Sequence, residues 1–351
     1  MVCNEDNAEK LIGWFLENSR YMPWREDPTP YHVWVSEIML QQTRVDTVMP
    51  YYRRFIEALP DVEALASCEE DRLMKLWEGL GYYSRVRNLQ KAAKICVEKY
   101  GGNVPDTYEE LLKLPGIGSY TAGAVASIAY RRKTPVVDGN VLRVLSRLTG
   151  SRKDIRDPQT KRMMEEELFH FLEDTEPDPS AFNQGLMELG AIVCLPNGEP
   201  KCFACPWKDS CVSHLEGLTD VIPVASPKNA QKNVDLTALI LVCGNRAGIK
   251  KRGGKGLLSG LYGLPLLEGH LSEEEVREKL TKKGADPSDI RKLPSGRHVF
   301  THLIWDMTAY RVETKDPVPG FLYVTADELA DQYALPGAFK KWNIKDLIDH
   351  S

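Results

Sequence analysis

The hydrophobic period of this 351-residue chain changes once, between residues 216 and 235, and that change requires two separately built parts. Before it, segments 8–16, 33–42, 48–59, 69–76, 86–100 and 161–172 carry apolar residues at three-to-four spacing, the stripe of an amphipathic helix. Pro and Gly punctuation such as LPDVEALA, WEGLGYY and YGGNVPDT separates them. After it, LTALILVCG, HLIWDMTAYRV and GFLYVT are β-branched and aromatic strands, with helical stretches at 272–283 and 326–333. The predicted architecture is therefore multidomain, α followed by mixed α/β. An all-α region spans 1–216, a linker rich in Pro, Ala, Ser, Lys and Asn spans 217–234, and a second core spans 235–351. The length suits two domains.

Charge narrows the function classes less than its total suggests. The net charge of -5 argues against a nucleic-acid partner. Residues 1–216 hold 26 basic and 33 acidic side chains, however, and 217–351 hold 19 and 17. Within the first part the basic residues gather at Arg85, Arg87, Lys91, Lys94 and Lys99, and again at 131–133, Arg143 and Arg147. A local basic face is compatible with the acidic total. The longest apolar runs, 121–130 and 236–244, are shorter than the roughly 18 residues of a membrane span. The acidic opening MVCNEDNAEK has no signal-peptide pattern, so no membrane association and an intracellular location are expected.

Four of the eight cysteines, Cys3, Cys68, Cys96 and Cys243, are isolated and expected to be small apolar residues. The other four, Cys194, Cys202, Cys205 and Cys211, form C-x7-C-x2-C-x5-C in a loop of Pro, Gly and Lys. In an intracellular chain that spacing indicates a metal site rather than disulfides. Soft thiolates suit tetrahedral zinc or an iron–sulfur cluster, and spacing alone leaves both open.

Two features point to chemistry on an anionic polymer. Thr107-Tyr-Glu-Glu110 is a capping-box pattern, and the helix it opens is interrupted by Leu114-Pro-Gly-Ile-Gly118 before a small-residue helix resumes at 119–130. Glycines such as Gly116 and Gly118 at a helix start bring backbone N–H groups close to a phosphate. Glu37, in Val-Trp-Val-Ser-Glu-Ile-Met-Leu, and Asp138, after Pro-Val-Val, are carboxylates in apolar settings. A carboxyl of raised pKa can serve as a general acid, and a second carboxylate can stabilise a developing cation.

VSEIMLQQTRV (35–45), GLGYYSRVRNL (79–89), LPGIGSYTAGAVASIAY (114–130), VVDGNVLRVLSR (136–147) and the four cysteines, in this order, resemble the helix-hairpin-helix DNA glycosylase superfamily. The resemblance is narrower to its MutY branch, the adenine DNA glycosylases that remove adenine mispaired with 8-oxoguanine. It implies that Glu37 protonates adenine and positions water, that Asp138 stabilises the oxocarbenium-like sugar, and that Tyr120 and Asn140 lie beside that sugar. Trp24, Arg25, Leu40, Gln184 and Met187 would hold the flipped adenine. Gln41, Gln42, Thr43 and Tyr82 would meet DNA with the hairpin residues Leu114, Gly116 and Gly118, Gln42 and Tyr82 by insertion into the base stack. The related bifunctional enzymes carry a Lys where this chain has Tyr120, so a hydrolytic, monofunctional enzyme is expected. The family's cysteines hold a 4Fe–4S cluster. Its first gap is six residues, whereas here seven separate Cys194 from Cys202.

Residues 235–351 resemble the Nudix-like domain of the same branch, which faces 8-oxoguanine. Arg297-His-Val-Phe-Thr-His302 matches its signature, placing Phe300, Thr301 and His302 at the lesion base, with Thr301 where Ser is usual. Gly260 matches a glycine that approaches DNA closely. True Nudix hydrolases need R-E-x-x-E-E, but here Arg277-Glu-Lys-Leu-Thr-Lys282 lacks the paired carboxylates, so nucleotide hydrolysis is not expected. The expected partner is duplex DNA with 8-oxoguanine:A or G:A mispairs, met by a monomer in the bacterial cytoplasm. The alternatives are a lesion or mismatch DNA-binding protein, or a glycosylase for another mispaired base. Both Glu37 and Asp138 being present argues against the first, and the adenine-pocket set against the second.

Overall fold

A computed structural model describes residues 4–227, 230–254 and 256–349. Cys3 and residues 228–229 of the expected linker lie outside the described residues. The helical unit comprises the described residues of Met1–Ser67 with Ser84–Pro227. Its helices include Glu5–Asn18, Pro30–Leu40, Val45–Ala58, Ser84–Tyr100, Pro158–Thr175 and Pro179–Ile192. The expected helices are present, but most begin earlier than the apolar stripe indicates. The reason is capping: the polar residue that satisfies the free N–H groups lies outside the buried stripe. Asn4 Oδ1 accepts from Asn7 N–H at 2.9 Å, Thr29 Oγ1 from His32 N–H at 3.2 Å, and Asp157 Oδ1 from Gln159 N–H at 2.9 Å. Half of the expected Thr107 capping box forms. Thr107 Oγ1 accepts from Glu110 N–H at 3.3 Å, while the Glu110 carboxylate turns to Tyr100 and Lys113. The unit closes around Leu11, Leu145, Phe182, Leu186 and Trp207, with Phe171 and Phe182 rings 5.1 Å apart.

Two domain boundaries differ from the sequence expectation. Cys68–Tyr83, read as part of 1–216, groups with the C-terminal half. Lys75 Nζ donates to the carbonyls of Leu329 and Tyr333, both at 3.3 Å, and Glu78 Oε1 accepts from Leu335 N–H at 3.0 Å. The Glu70–Leu76 helix that carries Lys75 is too short for its periodicity to indicate which core it joins. The linker expected over 217–234 is also largely structured. Arg147 donates to the carbonyls of Thr219 and Ile222, Ile155 N–H to Val224 O at 3.0 Å, and the first strand begins at Lys232.

The second unit is a mixed sheet of β1 (Lys232–Cys243), β2 (Arg246–Lys251), β3 (Tyr262–Gly263), β4 (Leu266–Glu268), β5 (Pro287–Val299), β6 (Leu303–Thr314) and β7 (Leu322–Val324). The order is β3-β2-β1-β6-β5, with β4 on β1 and β7 on β2. β1 and β6 run parallel, from Lys232 opposite Leu303 to Val242 opposite Glu313. β1 is apolar without alternation because both faces are covered. Ala238 and Ile240 pack with Met307, Phe339 and Trp342, while Leu239 and Leu241 pack with Val276, Leu280 and Val312. β5 escaped the sequence reading because it is an exposed edge strand interrupted near Pro294, without an apolar alternation. Reciprocal capping boxes at Ser272 and Thr325 open the Glu273–Thr281 and Ala326–Asp331 helices. No described helix is long and apolar enough to cross a membrane.

The expected basic face is mostly spent internally. Arg143 and Arg147 are buried. Arg131 pairs with Asp178 at 2.8 Å, Arg132 with Asp106, and Lys133 with Glu176 at 2.6 Å. Arg85 donates to the carbonyls of Ile38 at 2.7 Å and Met39 at 3.0 Å, capping the Pro30–Leu40 helix. Of the isolated cysteines described, only Cys96 is fully buried.

Candidate active site

A cavity of about 670 Å³ in the helical unit collects twelve of the expected residues: Trp24, Arg25, Glu37, Leu40, Gln41, Gln42, Thr43, Tyr120, Asp138, Asn140, Gln184 and Met187. The volume is that of a small-molecule pocket. Its walls come from the Pro30–Leu40, Ser119–Ala124, Gly139–Thr149 and Pro179–Ile192 helices, so the constellation exists only once the core has formed.

Glu37 is 5% exposed. Burial pushes its pKa up to about 7, aided by the Asp138 charge and opposed by the Tyr120 hydrogen bond and the Arg25 charge. Tyr120 Oη donates to Glu37 Oε2 at 2.7 Å and lies 3.3 Å from Met187 Sδ. Burial, then the neighbouring carboxyls, raise the Tyr120 pKa well above its ordinary value, so the phenol remains a donor.

Asp138 sits at the N-cap of the Gly139–Thr149 helix, where its Oδ1 accepts from Val141 N–H at 2.8 Å. Asn140 Nδ2 donates to the other carboxylate oxygen at 2.8 Å. Arg143 supports that amide through Asn140 Oδ1 at 2.9 Å, and also donates to Gly190 O and Cys194 O, each at 2.8 Å. Gly190 is needed for close approach: a Cβ there would lie 2.6 Å from Asn140 Cβ. Gly190→Ala is expected to cost about 1–3 kcal/mol in denaturant unfolding, as overpacking does. It should also slow any reaction that depends on the placement of Asp138.

Sequence reasoning missed Glu188 and Arg20. Glu188, 2% exposed, follows Gln184 by one helical turn and therefore lines the same cavity. Its carboxylate takes Arg20 Nε at 2.6 Å and Arg25 Nη2 at 3.0 Å, while Arg25 Nε donates to Gln184 Oε1 at 3.0 Å. Burial pushes the Glu188 pKa up, yet the Arg20 hydrogen bond and the Arg25 charge hold it below the ordinary range. The i,i+4 spacing of Gln184 and Glu188 was the available signal.

The remaining candidates lie elsewhere. Leu114 has a buried side chain and offers only backbone, its carbonyl accepting from Ile117 N–H at 3.2 Å. Gly116 has φ +81°, a conformation that favours glycine, and a Cβ there would strike Asn88 Cβ at 2.7 Å. A Cβ at Gly118 would meet nothing within 4 Å, so the fold itself places no steric demand for glycine there. Tyr82 (φ 47°), like Gln42 on the cavity wall (φ 58°), occupies left-handed backbone, strained for residues with side chains. In the second unit, Tyr82 Oη and Thr301 Oγ1 share a hydrogen bond of 2.8 Å. Phe300 packs edge-on against His298 and Trp305, centroids 4.5 and 4.9 Å away, leaving Thr301 and His302 exposed at a turn closed by Phe300 N–H to Leu303 O. Gly260 has φ +68°.

Cys194, Cys202, Cys205 and Cys211 line one cavity walled by Val144, Leu148 and the buried Trp207. Arg147 Nη1 points at Cys194 Sγ from 3.4 Å, and Trp207 Nε1 anchors the loop to Asn7 O at 2.8 Å. Burial pushes the Cys205 thiol up to about 12 and raises those of Cys202 and Cys211, so thiolates here need a cationic centre. Among the described residues, no three His, Cys, Asp or Glu side chains form a group able to hold a single metal ion. Four cysteines on one cavity are a soft donor set of the kind an iron–sulfur cluster uses.

Residues 35–172 match the family profile described as HhH-GPD superfamily base excision DNA repair protein, and residues 237–343 match a NUDIX domain. The adenine DNA glycosylase of Buchnera aphidicola subsp. Acyrthosiphon pisum (strain APS) is 33% identical over 300 residues, covering 85% of this chain and 83% of that protein. The adenine DNA glycosylase of Homo sapiens is 33% identical over 386 residues, covering 91% of this chain and 70% of that protein. Among solved structures, a thermostable thymine-DNA glycosylase aligns with a TM-score of 0.54 at 27% identity, over 60% of this chain and 95% of its own. An endonuclease III in non-covalent complex with DNA shares the fold, with a TM-score of 0.51 at 24% identity, over 60% of this chain and 94% of its own.

Proposed function

Because the chain belongs to the adenine DNA glycosylase family, we propose that it hydrolyses the N-glycosidic bond of adenine paired with 8-oxoguanine or guanine in duplex DNA. The observation that carries this is a carboxyl of pKa about 7, Glu37, in the same cavity as the Asp138 carboxylate. A protonated Glu37 donates to a ring nitrogen of the extruded adenine, which weakens the bond to the sugar as the base takes up the electron pair. The Asp138 carboxylate stabilises the positive charge that develops on the sugar. The Glu37 carboxylate left behind then takes a proton from the attacking water. Tyr120 holds Glu37, and the Arg25–Gln184 pair, fixed by Glu188, orients the base.

Several recognition assignments support this reading. Gln42 and Tyr82, held on strained backbone, enter the vacated stack, which offsets part of the unstacking cost of extrusion. The Phe300–His302 turn meets 8-oxoguanine, with the Thr301 hydroxyl as its hydrogen-bonding group. The hairpin amides around Gly116 and Gly118 take a backbone phosphate. The protein acts as a monomer inside the cell, in a bacterium in the cytoplasm.

Alkali-treated duplexes carrying 8-oxoguanine:A, G:A or 8-oxoguanine:C test the function. Strand breakage at adenine in the first two alone is expected, and no adenine release from either overturns the reading. Tyr120 carries no amine for a Schiff base, so borohydride should trap no stoichiometric protein–DNA adduct; strong trapping would refute the monofunctional assignment.

Cys194, Cys202, Cys205 and Cys211 hold a 4Fe–4S cluster in this proposal. Such a cluster would supply a fixed electrostatic and structural centre beneath the Arg143–Asn140–Asp138 chain. Native protein should contain iron and acid-labile sulfide and show a broad thiolate-to-iron absorption in the visible. A colourless, zinc-loaded protein would overturn the assignment.

A further inference from the structure

Insertion of Tyr82 into a base stack requires its side chain to be aimed before DNA arrives. The residue is 49% exposed and sits on left-handed backbone (φ 47°) after Gly79 (φ 106°) and Gly81 (φ 72°). A strained, exposed conformation of this kind persists only where its surroundings fix it. Trp77, fully buried at the C-cap of the Glu70–Leu76 helix, donates through Nε1 to Gly81 O at 3.0 Å, so the turn carrying Tyr82 follows that helix. Seven residues are too few for a helix to hold itself, and side chains hold this one in place. Asp71 pairs with Lys251 at 2.8 Å, but both groups are largely exposed and the pair is weak. Lys75 and Glu78 are better covered, at 22% and 19% side-chain exposure, and pair with each other at 2.7 Å. Lys75 Nζ also donates to the carbonyls of Leu329 and Tyr333, and Glu78 Oε1 accepts from Leu335 N–H.

Both residues grip one stretch, 329–335, which the sheet core already fixes. Leu329, Leu335 and Phe339 share that core with Trp305, and the Tyr333 ring meets Tyr262 edge-on at 4.7 Å. Trp305 in turn supports the Phe300 ring at 4.9 Å, and Tyr82 Oη closes the circuit on Thr301 Oγ1 at 2.8 Å. The Tyr82 turn and the Phe300–His302 turn therefore hang from a single core. The geometry points to Lys75 and Glu78 as positioning residues that aim Tyr82 at the stack beside the base facing the Phe300–His302 turn, an assignment that rests on the adenine-excision reading. Neither residue lines the cavity of Glu37 and Asp138, so loosening the clamp displaces Tyr82 and leaves that cavity whole.

A double-mutant cycle with Tyr82 in the full-length protein tests this. Single-turnover excision is measured on an 8-oxoguanine:A duplex, and affinity on the same duplex carrying 2′-fluoro-2′-deoxyadenosine, whose electron-poor sugar resists cleavage. Glu78→Ala is expected to slow excision and weaken affinity by about tenfold, the scale of one charge-assisted hydrogen bond. Glu78→Gln keeps an oxygen for Leu335 N–H and should recover most of both. In a Tyr82→Ala background, Glu78→Ala should cost nothing further. Lys75→Met keeps the apolar stem and leaves Leu335 N–H paired, and its loss should show the same dependence on Tyr82. A merely structural role would lower the folded fraction and cost as much without Tyr82 as with it; that result overturns the inference, as do unchanged excision and affinity in both Glu78→Ala and Lys75→Met. If the wild-type protein neither binds nor cleaves these duplexes, the adenine-excision reading fails and takes the inference with it. Wild-type excision with variant losses independent of Tyr82 defeats the inference alone.

Discussion

Glu37→Gln is expected to slow adenine excision by about a thousandfold, the scale of a lost general acid, and to stabilise the protein above neutral pH. Both effects follow from one fact: the folded protein holds this carboxyl in a buried site with a pKa of about 7, against 4.5 for the free group. Below about pH 4.5 the carboxyl is protonated in folded and unfolded chains, and its burial carries no ionic penalty. As pH rises toward 7, the unfolded chain releases its proton first, so stability falls. Above about pH 7 the full penalty stands, roughly 3 kcal/mol. Glutamine is neutral throughout and still accepts the Tyr120 hydrogen bond through its carbonyl oxygen. The stability difference between variant and wild type should therefore widen by about 2–3 kcal/mol between about pH 5 and about pH 8, measured by denaturant unfolding. The same pKa predicts that single-turnover excision by the wild type falls above about pH 7, tenfold per pH unit. A flat profile through pH 8 would remove Glu37 as the acid.

Asp138 calls for a pair of variants, because it caps a helix and is also the carboxylate proposed to face the sugar. Asp138→Asn keeps a side-chain oxygen for Val141 N–H, and asparagine caps about as well as aspartate. It removes the charge, so excision should fall by about a thousandfold with stability nearly unchanged. Asp138→Ala removes both, and should lose a further ~1 kcal/mol of stability through the missing cap. Equal activity losses with unequal melting points would separate charge from cap. Retained activity in Asp138→Asn would exclude electrostatic stabilisation by this residue.

Legibility followed the length scale of each interaction. Helix 33–42 was readable because its apolar run is local, though its first turn, at Thr29 and Pro30, was not. Glu37 and Asp138 stood out as acids in apolar strings. Glu188 did not, because its importance comes from Arg20 and Arg25, which lie more than 160 residues away in the chain. The basic residues show the opposite error. Arg143 and Arg147 read as surface charge, yet burial turns them into structural donors to the backbone around Cys194, Leu195 and Ile222.

The sequence alone determined the number of cores and the kind of each, and put Glu37 and Asp138 forward as candidates, because periodicity and residue chemistry are properties of short stretches. Tertiary structure decided the rest. It assigned Cys68–Tyr83 to the C-terminal unit through hydrogen bonds from Lys75 and Glu78, which no local pattern encodes. It raised the Glu37 pKa, because desolvation exists only when four distant helices exclude water. It also paired Arg131 with Asp178 and Lys133 with Glu176, because an ion pair depends on which groups meet in space and not on how many the chain contains.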